Sequence, residues 1–408
     1  MRQSQKMLGV WEERPLLIFW ETTRACLLKC KHCRAEALKE PLPDELGYED
    51  ALDLIDQVTE FGDPKPILIL TGGDPLLRKD LWDILSYASS KKLRIAIAPS
   101  VTPLLTRSSI KKIVESGVRG VSISIDSPHP NIHDSIRGVS GTWGKTVNIV
   151  KDFIETGVHV QVNTVIMRET LSGLPAMVKF LLELGVKVWE PFYLIPVGRA
   201  WFEMDLTPNE WEDVSHFLYE ASKYGIVIRT VEGPMFRRVA LLRMIIESRG
   251  FNPDTILHTG ELYQKLLREL RKLIGDPSGK QQAQTTGTRD GKGIIFVAHN
   301  GDVYPSGFLP LSVDNVKRNK LAKIYRENTL LRRLRSAKFK GRCGKCEFRD
   351  LCGGSRARAY SYYRDPLAED PACPYVPGTL KSIAKKINIE ELELKSSFKK
   401  LGGGIILE

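Results

Sequence analysis

Apolar runs alternate with longer amphipathic segments along the first half of the chain. Each run is almost entirely apolar, which is typical of parallel strands that are covered on both faces. The segments 48–61 and 144–157 have helical periodicity, and Gly157 and Gly185 stand where the glycine that ends a helix is common. The spacing leaves room for one helix between successive runs, which begin near residues 15, 66, 93, 118, 158 and 186. This pattern predicts an α/β fold with a partial (β/α)6 TIM-type barrel over residues 15–230, because a full barrel needs eight such units.

The second half of the chain follows a different pattern. Residues 231–293 are predicted to be a basic helical segment followed by a polar, glycine-containing linker. Residues 294–376 are predicted to form a small C-terminal α+β domain, which begins with two short strands around the turn Asn300-Gly301. Residues 377–408 are predicted to be a basic tail, to which no chemistry is assigned.

Composition narrows the class of protein. The chain has 408 residues, of which 42% are hydrophobic, so it can bury one large core with an appended domain. No apolar stretch approaches the roughly 20 residues that span a bilayer, and the N-terminus lacks the apolar segment of a secretion signal. We therefore expect a cytoplasmic protein with no membrane partner. The net charge of +11 could favour an anionic ligand, but such an excess usually serves only solubility.

Cysteine positions carry the main chemical signal. The seven cysteines form two groups separated by a long cysteine-free stretch. An odd number of cysteines without a secretion signal argues against a disulfide framework and favours metal or cluster binding in a reducing compartment. The first group is Cys26, Cys30 and Cys33, and the second is Cys343, Cys346, Cys352 and Cys373.

The first group places three cysteines within eight positions, directly after the first predicted strand. Ligand-binding loops lie at this end of the strands in parallel barrels. Three thiolates can hold one face of a [4Fe-4S] cluster and leave the fourth iron open to bind a further ligand. A zinc site with His32 as the fourth ligand and a structural cysteine cluster are the alternatives.

This loop resembles that of a known family. Cys26, Cys30 and Cys33 form the CxxxCxxC signature of radical S-adenosylmethionine (radical SAM) enzymes, and the resemblance covers most of residues 15–200. It implies that the open iron binds the amino and carboxylate groups of S-adenosylmethionine. One electron from the cluster then cleaves this cofactor to methionine and a 5′-deoxyadenosyl radical, which takes a hydrogen atom from the substrate. The resemblance also implies an electron donor such as ferredoxin or flavodoxin.

Residues at the ends of other predicted strands match the cofactor site of this family. The segment TGGDP follows the second strand, and its glycines would let backbone carbonyls approach the cofactor ammonium closely. A simple turn at the end of the strand is the alternative. The family more often has GGE here, so Asp74 is a mild departure. The resemblance implies cofactor contacts from Gly72, Gly73, Asp74, Ser124, Asp126, Asn163 and Pro196.

The second cysteine group has the spacing CxxCx5C, followed by a more distant Cys373. Four thiolates saturate one metal centre, and this spacing resembles the second auxiliary cluster of the SPASM extension of radical SAM enzymes. The ligand positions of the other auxiliary cluster correspond to Ser306 and Arg356, which do not readily replace cysteine. We therefore predict one auxiliary [4Fe-4S] cluster, with a four-cysteine zinc knuckle as the alternative.

Three segments, GDVYPSGFLP, the later DNV and CGGSRARAY, together resemble the branch of the family that includes haem-precursor decarboxylases and related cofactor-peptide maturases. Residues 317–345 hold twelve Lys or Arg and one Glu, enough to attract a polycarboxylate, a leader peptide or RNA. A solvated basic helix is the alternative. No aromatic-interleaved basic surface supports RNA, so nucleic acid is not an expected partner.

The predicted function is reductive cleavage of S-adenosylmethionine for hydrogen abstraction, with oxidative decarboxylation of a tetrapyrrole side chain as the favoured reaction. Modification of a ribosomally made peptide or protein is the alternative. A non-catalytic protein that binds an iron-sulfur cluster or zinc is the remoter one. Cleavage of S-adenosylmethionine distinguishes either enzyme from the binding protein.

Overall fold

Six parallel strands form the centre of the protein, at the places where the apolar runs predict them. The computed structural model describes residues 11–391 and 393–394. The strands are β1 Leu17–Glu21, β2 Ile67–Thr71, β3 Arg94–Ile97, β4 Val118–Ser124, β5 His159–Ile166, β6 Val188–Tyr193, β7 Val227–Ile228, β8 Ile294–Val297, β9 Asp302–Tyr304 and β10 Asp314–Asn315.

All ten strands belong to one sheet, whose order is β10-β9-β8-β1-β2-β3-β4-β5-β6-β7. Neighbours from β8 through β1 to β7 are parallel, whereas β8–β9 and β9–β10 are antiparallel. Sequential parallel strands joined by helices are the arrangement of a TIM-type barrel. In the described residues β7 and β10 are the two edges of the sheet, so the barrel is partial, as predicted.

Helices follow most of the strands and cover the outside of the sheet. No helix in the described part of the chain is long and apolar enough to cross a bilayer. The helices are α1 Tyr48–Thr59, α2 Leu81–Ser90, α3 Arg107–Glu115, α4 Pro130–Arg137, α5 Thr142–Glu155, α6 Arg168–Leu171, α7 Leu174–Glu183, α8 Pro208–Ala221, α9 Met235–Ser248, α10 Pro253–Ile256, α11 Glu261–Ile274, α12 Leu321–Glu327, α13 Thr329–Arg335, α14 Gly341–Lys345, α15 Arg356–Tyr363 and α16 Thr379–Lys386. The predicted basic tail contains α16, and its positions 392 and 395–408 lie outside the described residues.

Alternate residues of each barrel strand face opposite sides of the sheet. In β1, Ile18 and Trp20 are fully buried in the core, whereas Leu17 and Phe19 line an interior cavity. A closed eight-stranded barrel fills its interior with side chains. This partial barrel instead keeps space inside for a ligand.

The C-terminal region extends the same sheet. β8 pairs in parallel with β1, placing Ile294 opposite Leu17, and it pairs antiparallel with β9. The predicted pair of short strands around Asn300-Gly301 is therefore confirmed. The division of the chain between residues 293 and 294 stays a prediction, because the sheet continues across it.

Part of the basic stretch 317–345 is neutralised by helix α1. Lys317 Nζ lies 2.8 Å from Asp50, and Lys320 Nζ lies 3.1 Å from Asp53. These lysine side chains are about half exposed, so each pair adds little stability. These pairs neutralise two of the lysines within the protein itself, so this part of the positive charge does not require an anionic ligand. That agrees with the alternative of a solvated basic helix.

Candidate cofactor site and four-cysteine site

A cavity of about 1240 Å³ occupies the barrel interior. The first cysteine group lies at its wall, where Cys26, Cys30 and Cys33 all line the cavity. Strand β1 ends at Glu21, so the cysteine loop leaves the carboxyl end of the first strand, as the sequence predicts. The loop therefore presents three thiols to the space that the open barrel encloses.

Backbone hydrogen bonds hold the cysteine loop in place. The amide of Cys26 donates to the Leu38 carbonyl at 2.7 Å, which closes the base of the loop. The amides of Lys29 and Lys31 donate to carbonyls in the last turn of α4, at 3.0 and 2.9 Å. These carbonyls lack partners within their own helix, so the loop also satisfies the end of α4. The Arg199 amide donates to the Cys33 carbonyl at 3.0 Å.

Gly72 and Gly73 lie against this loop and also line the cavity. The Gly73 amide donates to the Thr23 carbonyl at 2.8 Å. A Cβ atom on Gly73 would stand 2.0 Å from the Ala25 carbonyl oxygen, and one on Gly72 would stand 2.4 Å from the Thr23 oxygen. The structure thus gives a packing reason for both glycines, besides the predicted approach to a ligand.

Asp74 is fully buried and is not among the cavity-lining residues. Its carboxylate accepts hydrogen bonds from the Thr102 hydroxyl at 2.8 Å and from the Ser100 amide at 3.3 Å. The Ser100 hydroxyl in turn donates to the Gly73 carbonyl at 2.9 Å. Asp74 therefore connects the glycine segment to the loop after β3. Its predicted cofactor contact stays a prediction.

Asp126 follows β4 and forms a buried ion pair with Arg137, at 2.8 Å between Oδ2 and Nη2. Burial is the largest single influence and raises the pKa of Asp126, but the Arg137 guanidinium, two histidines and a backbone hydrogen bond from Val165 together lower this pKa below its usual value. Arg137 Nη1 also lies 3.7 Å from Cys30 Sγ, within hydrogen-bonding distance of sulfur. The pair thus places a fixed cation beside one of the predicted cluster ligands. No sequence motif indicates Arg137.

Ser124 and Asn163 also line the cavity, and they stand directly opposite each other in the β4–β5 register. Directly paired residues share one face of a sheet, so both side chains are available to a ligand. Pro196 is not among the lining residues, and its carbonyl accepts a hydrogen bond from the Ser361 hydroxyl. The structure therefore brings Gly72, Gly73, Ser124, Asp126 and Asn163 together around the cavity, without Asp74 and Pro196.

The first cysteine group suits a metal that displaces protons. Burial raises the pKa of the Cys26 and Cys30 thiols, so both are protonated at neutral pH until metal binds. His32 lines the same cavity, and burial lowers the pKa of its imidazole to about 4. Among residues 11–391 and 393–394, no three His, Cys, Asp or Glu side chains are placed to hold a single metal ion. Measuring the iron and zinc content of the reconstituted protein distinguishes a cluster from a zinc site.

The second cysteine group lines a separate, small cavity between helix α9 and the C-terminal region. Cys343, Cys346, Cys352 and Cys373 all face it. Backbone amides donate to two of these sulfurs, from Asp370 to Cys343 at 3.3 Å and from Gly354 to Cys352 at 3.4 Å. Such hydrogen bonds stabilise the thiolates that hold an iron-sulfur cluster. Four thiols, two of which accept hydrogen bonds from backbone amides, therefore fit a fully ligated cluster.

An acidic wall on the barrel cavity consists of two carboxylic acids. Glu232 and Asp290 both line the barrel cavity, and Ser355 joins them by donating its hydroxyl proton to Glu232. Asp290 accepts from the backbone amide of Arg356 at 2.9 Å, at the start of α15. Burial and the neighbouring Asp290 carboxylate raise the pKa of Glu232 well above its usual value. This wall joins the four-cysteine region to the barrel cavity, which no sequence motif indicates.

Comparisons with known proteins agree with the cysteine loop and the partial barrel. The family model "Radical SAM superfamily" matches residues 20–181. The "AdoMet-dependent heme synthase" of Oleidesulfovibrio alaskensis is 35% identical over 365 residues, which cover 88% of this chain and 87% of that protein. This chain belongs to the radical SAM superfamily. The "AdoMet-dependent heme synthase" of Methanosarcina barkeri is 32% identical to this radical SAM protein, covering 89% of the chain and 97% of the relative.

A solved structure supports the fold of this radical SAM enzyme. The crystal structure of Streptococcus suis SuiB has a TM-score of 0.64 and 16% identity, and it covers 92% of this chain and 81% of that chain. At this identity the likeness shows the fold alone. The predictions of a radical SAM enzyme and of its partial barrel are confirmed. Membership also implies S-adenosylmethionine and a [4Fe-4S] cluster, and the loop of Cys26, Cys30 and Cys33 fits that cluster.

Proposed function

We propose that this enzyme oxidatively decarboxylates a propionate side chain of a tetrapyrrole. The heme synthases that resemble it over most of their length motivate this substrate class. One structural observation carries the reaction type. Gly354 and Ser355, which lie two and three positions after Cys352, line the same cavity as Cys26, Cys30 and Cys33. A substrate in this cavity lies between a site that starts the reaction and a site that can accept an electron.

The reaction balances as follows. S-adenosylmethionine and its cluster, when bound, supply the radical that takes one hydrogen atom from the methylene group next to the macrocycle. The remaining –CH•–CH2–COO⁻ group becomes –CH=CH2 by losing CO2 and one electron. The electron needs an acceptor, and we assign this role to an auxiliary [4Fe-4S] cluster held by Cys343, Cys346, Cys352 and Cys373.

The chain's own side chains support a planar, carboxylated substrate. Phe192 and Phe308 line the cavity, with ring centroids 6.0 Å apart. The Arg34 guanidinium also lines it and lies over the Phe296 ring, 4.6 Å from the centroid. Aromatic rings stack on planar macrocycles, and arginine binds carboxylates through paired hydrogen bonds. Arg34 pairs with Glu21 at 3.2 Å, so a substrate carboxylate would share or replace that partner.

Product analysis with a defined probe tests the proposal. Anaerobically reconstituted enzyme receives dithionite, S-adenosylmethionine and an iron porphyrin with propionate side chains deuterated at the carbon next to the ring. We expect 5′-deoxyadenosine that carries deuterium, and a porphyrin that has lost CO2 and two hydrogen atoms per reacted side chain. Cys30→Ala should abolish both products.

Two results would contradict the proposal. Release of 5′-deoxyadenosine without deuterium and without a change in porphyrin mass would favour the peptide alternative. Equal 5′-deoxyadenosine release by the parent and Cys30→Ala would overturn the cluster assignment. A ferredoxin or flavodoxin donor and a cytoplasmic location remain predictions of the sequence. So do the cofactor contacts of Gly72, Gly73, Asp74, Ser124, Asp126, Asn163 and Pro196.

A further inference from the structure

Arg356 occupies a position where the resemblance to SPASM enzymes calls for a cysteine of the other auxiliary cluster, the one that the four-cysteine site does not represent. Its side chain is fully buried, and Nη2 donates a hydrogen bond to Cys343 Sγ at 3.6 Å. Nε donates to the Gly354 carbonyl at 3.1 Å, and Nη1 donates to the Pro366 carbonyl at 3.2 Å. The guanidinium is therefore fixed by neutral carbonyls, with one donor left for a sulfur of the four-cysteine site.

Other buried arginines near this site differ from Arg356. Arg238 pairs with Glu212, and Arg358 lies 3.7 Å from both Asp205 and Asp370. Within the described residues, no carboxylate forms a salt bridge with the Arg356 guanidinium. Arg237 and Arg289 also donate to backbone carbonyls. Within the described residues, neither of them donates to a cysteine sulfur. Arg356 thus combines an uncompensated charge with direct sulfur contact.

Gly354 makes this contact possible. Its backbone has a φ of +66°, which favours glycine, and a Cβ atom here would stand 2.5 Å from Arg356 Nη2 and 3.1 Å from Cys343 Sγ. A side chain at position 354 would therefore enter the space in which the guanidinium meets the sulfur. The contact depends on two residues of one segment, Gly354 and Arg356, beside the ligand Cys352.

We infer that Arg356 is a positioning residue that raises the reduction potential of the auxiliary cluster through Cys343. This inference rests on the proposed auxiliary cluster. Reduction adds one negative charge to the cluster, and a buried cation hydrogen-bonded to a ligand sulfur stabilises the reduced state more than the oxidised state. Arg356 therefore favours electron acceptance by the cluster, which is the role that decarboxylation requires.

Redox titration of the auxiliary cluster alone tests this inference without substrate. The background is the full chain with Cys26→Ala, Cys30→Ala and Cys33→Ala, in which we expect about four irons from one remaining cluster. Arg356→Gln should lower the equilibrium constant for reduction at least tenfold, which is about 59 mV for one electron. Arg356→Lys keeps the charge and should stay within about threefold of the parent, since charge is the larger contribution.

Arg349→Gln is the matched control. Arg349 lies in the loop between Cys346 and Cys352 and lines the four-cysteine cavity, but its side chain is 53% exposed and lies 3.7 Å from Asp350. Solvent screens such a charge, so the change in the equilibrium constant should be less than about twofold. An unchanged potential in Arg356→Gln, or an equal shift in the control, would overturn the inference. So would zinc in place of iron in the background protein.

A measurement on the unaltered residue covers the case in which Arg356→Gln does not assemble a cluster. The background protein is grown with 15N-arginine, and pulsed EPR is recorded on the reduced cluster. A hydrogen bond from Arg356 to Cys343 should give a weakly coupled 15N signal, and its absence would refute the contact. Neither experiment needs porphyrin turnover, so failure of the decarboxylation proposal is observed separately.

Discussion

Gly73→Ala is expected to disrupt assembly of the cluster on the three-cysteine loop. The added Cβ would stand 2.0 Å from the Ala25 carbonyl oxygen, 2.5 Å from the Ala25 carbonyl carbon and 2.8 Å from the Arg24 oxygen. All three atoms belong to backbone, so no side chain can rotate away. Cβ atoms essentially never approach other atoms within 3.0 Å, so the backbone must move by about 1 Å. Cys26 directly follows Ala25 and must move with it.

The same movement strains two hydrogen bonds. The Gly73 amide donates to the Thr23 carbonyl at 2.8 Å, and the Asp74 amide donates to the Ala25 carbonyl at 2.7 Å. A net contribution of about 0.5–1.5 kcal/mol for each bond gives a loss of about 1–3 kcal/mol in the free energy of unfolding. The protein should still fold, because this loss lies within the stability of an ordinary domain.

Iron analysis after anaerobic reconstitution checks the expectation. The parent should hold about eight irons in two clusters, and Gly73→Ala about four, retained by the four-cysteine site. Gly144→Ala is the matched control, because its Cβ would meet no atom within 4 Å inside α5. The control should keep the iron content and gain up to about 1 kcal/mol, since alanine favours helix. Full iron content and an unchanged melting temperature in Gly73→Ala would refute the reasoning.

Three further predictions follow from charged groups and ligands. Asp126→Asn should lower the free energy of unfolding by about 3–5 kcal/mol, because it leaves the buried Arg137 cation unpaired. Denaturant unfolding measures this loss, and a loss below about 1 kcal/mol would contradict the prediction. Glu232 has a raised pKa in the folded protein, so its stabilising contribution is present below its unfolded pKa and is lost as pH rises. Glu232→Gln should therefore melt progressively higher relative to the parent between pH 5 and 8 in a thermal scan, whereas a constant difference would show that Glu232 ionises normally. A variant in which the four cysteines of the second group are replaced by alanine should keep about four irons and still release 5′-deoxyadenosine. Loss of that release would show that the first site depends on the second.

The central strands could be predicted because their signal is local. The run that begins at residue 118 forms β4 from Val118, and the run that begins near residue 158 forms β5 from His159. Gly157 has a φ of +78° and Gly185 a φ of +81° at the turns after α5 and α7. An apolar run between glycine-ended helices restricts both the type and the bounds of an element. The three cysteines were equally visible, since their spacing itself is the signature.

Contacts between distant segments could not be predicted in this way. Arg137 lies 107 positions from Cys30, and nothing in the residues around α4 marks it as a neighbour of a thiol. The strand β8 was visible as an apolar run, but its pairing with β1 was not. Local periodicity specifies that a strand exists and does not specify which sheet edge receives it. The sequence therefore indicates the candidate cluster ligands more readily than the residues that position them.

The acidic wall bears on how far the four-cysteine region can be treated as an independent module. Ser355 directly follows the loop of Cys352 and lines the barrel cavity, where its hydroxyl donates to Glu232. Its backbone amide donates to Asp370 at 2.7 Å, and the Asp370 amide donates to Cys343 Sγ at 3.3 Å. One short chain of hydrogen bonds therefore runs from the cavity wall to a sulfur of the four-cysteine site. Removing the C-terminal region would take away part of the cavity and leave Glu232 without its hydroxyl partner, so the barrel alone does not form the complete cavity.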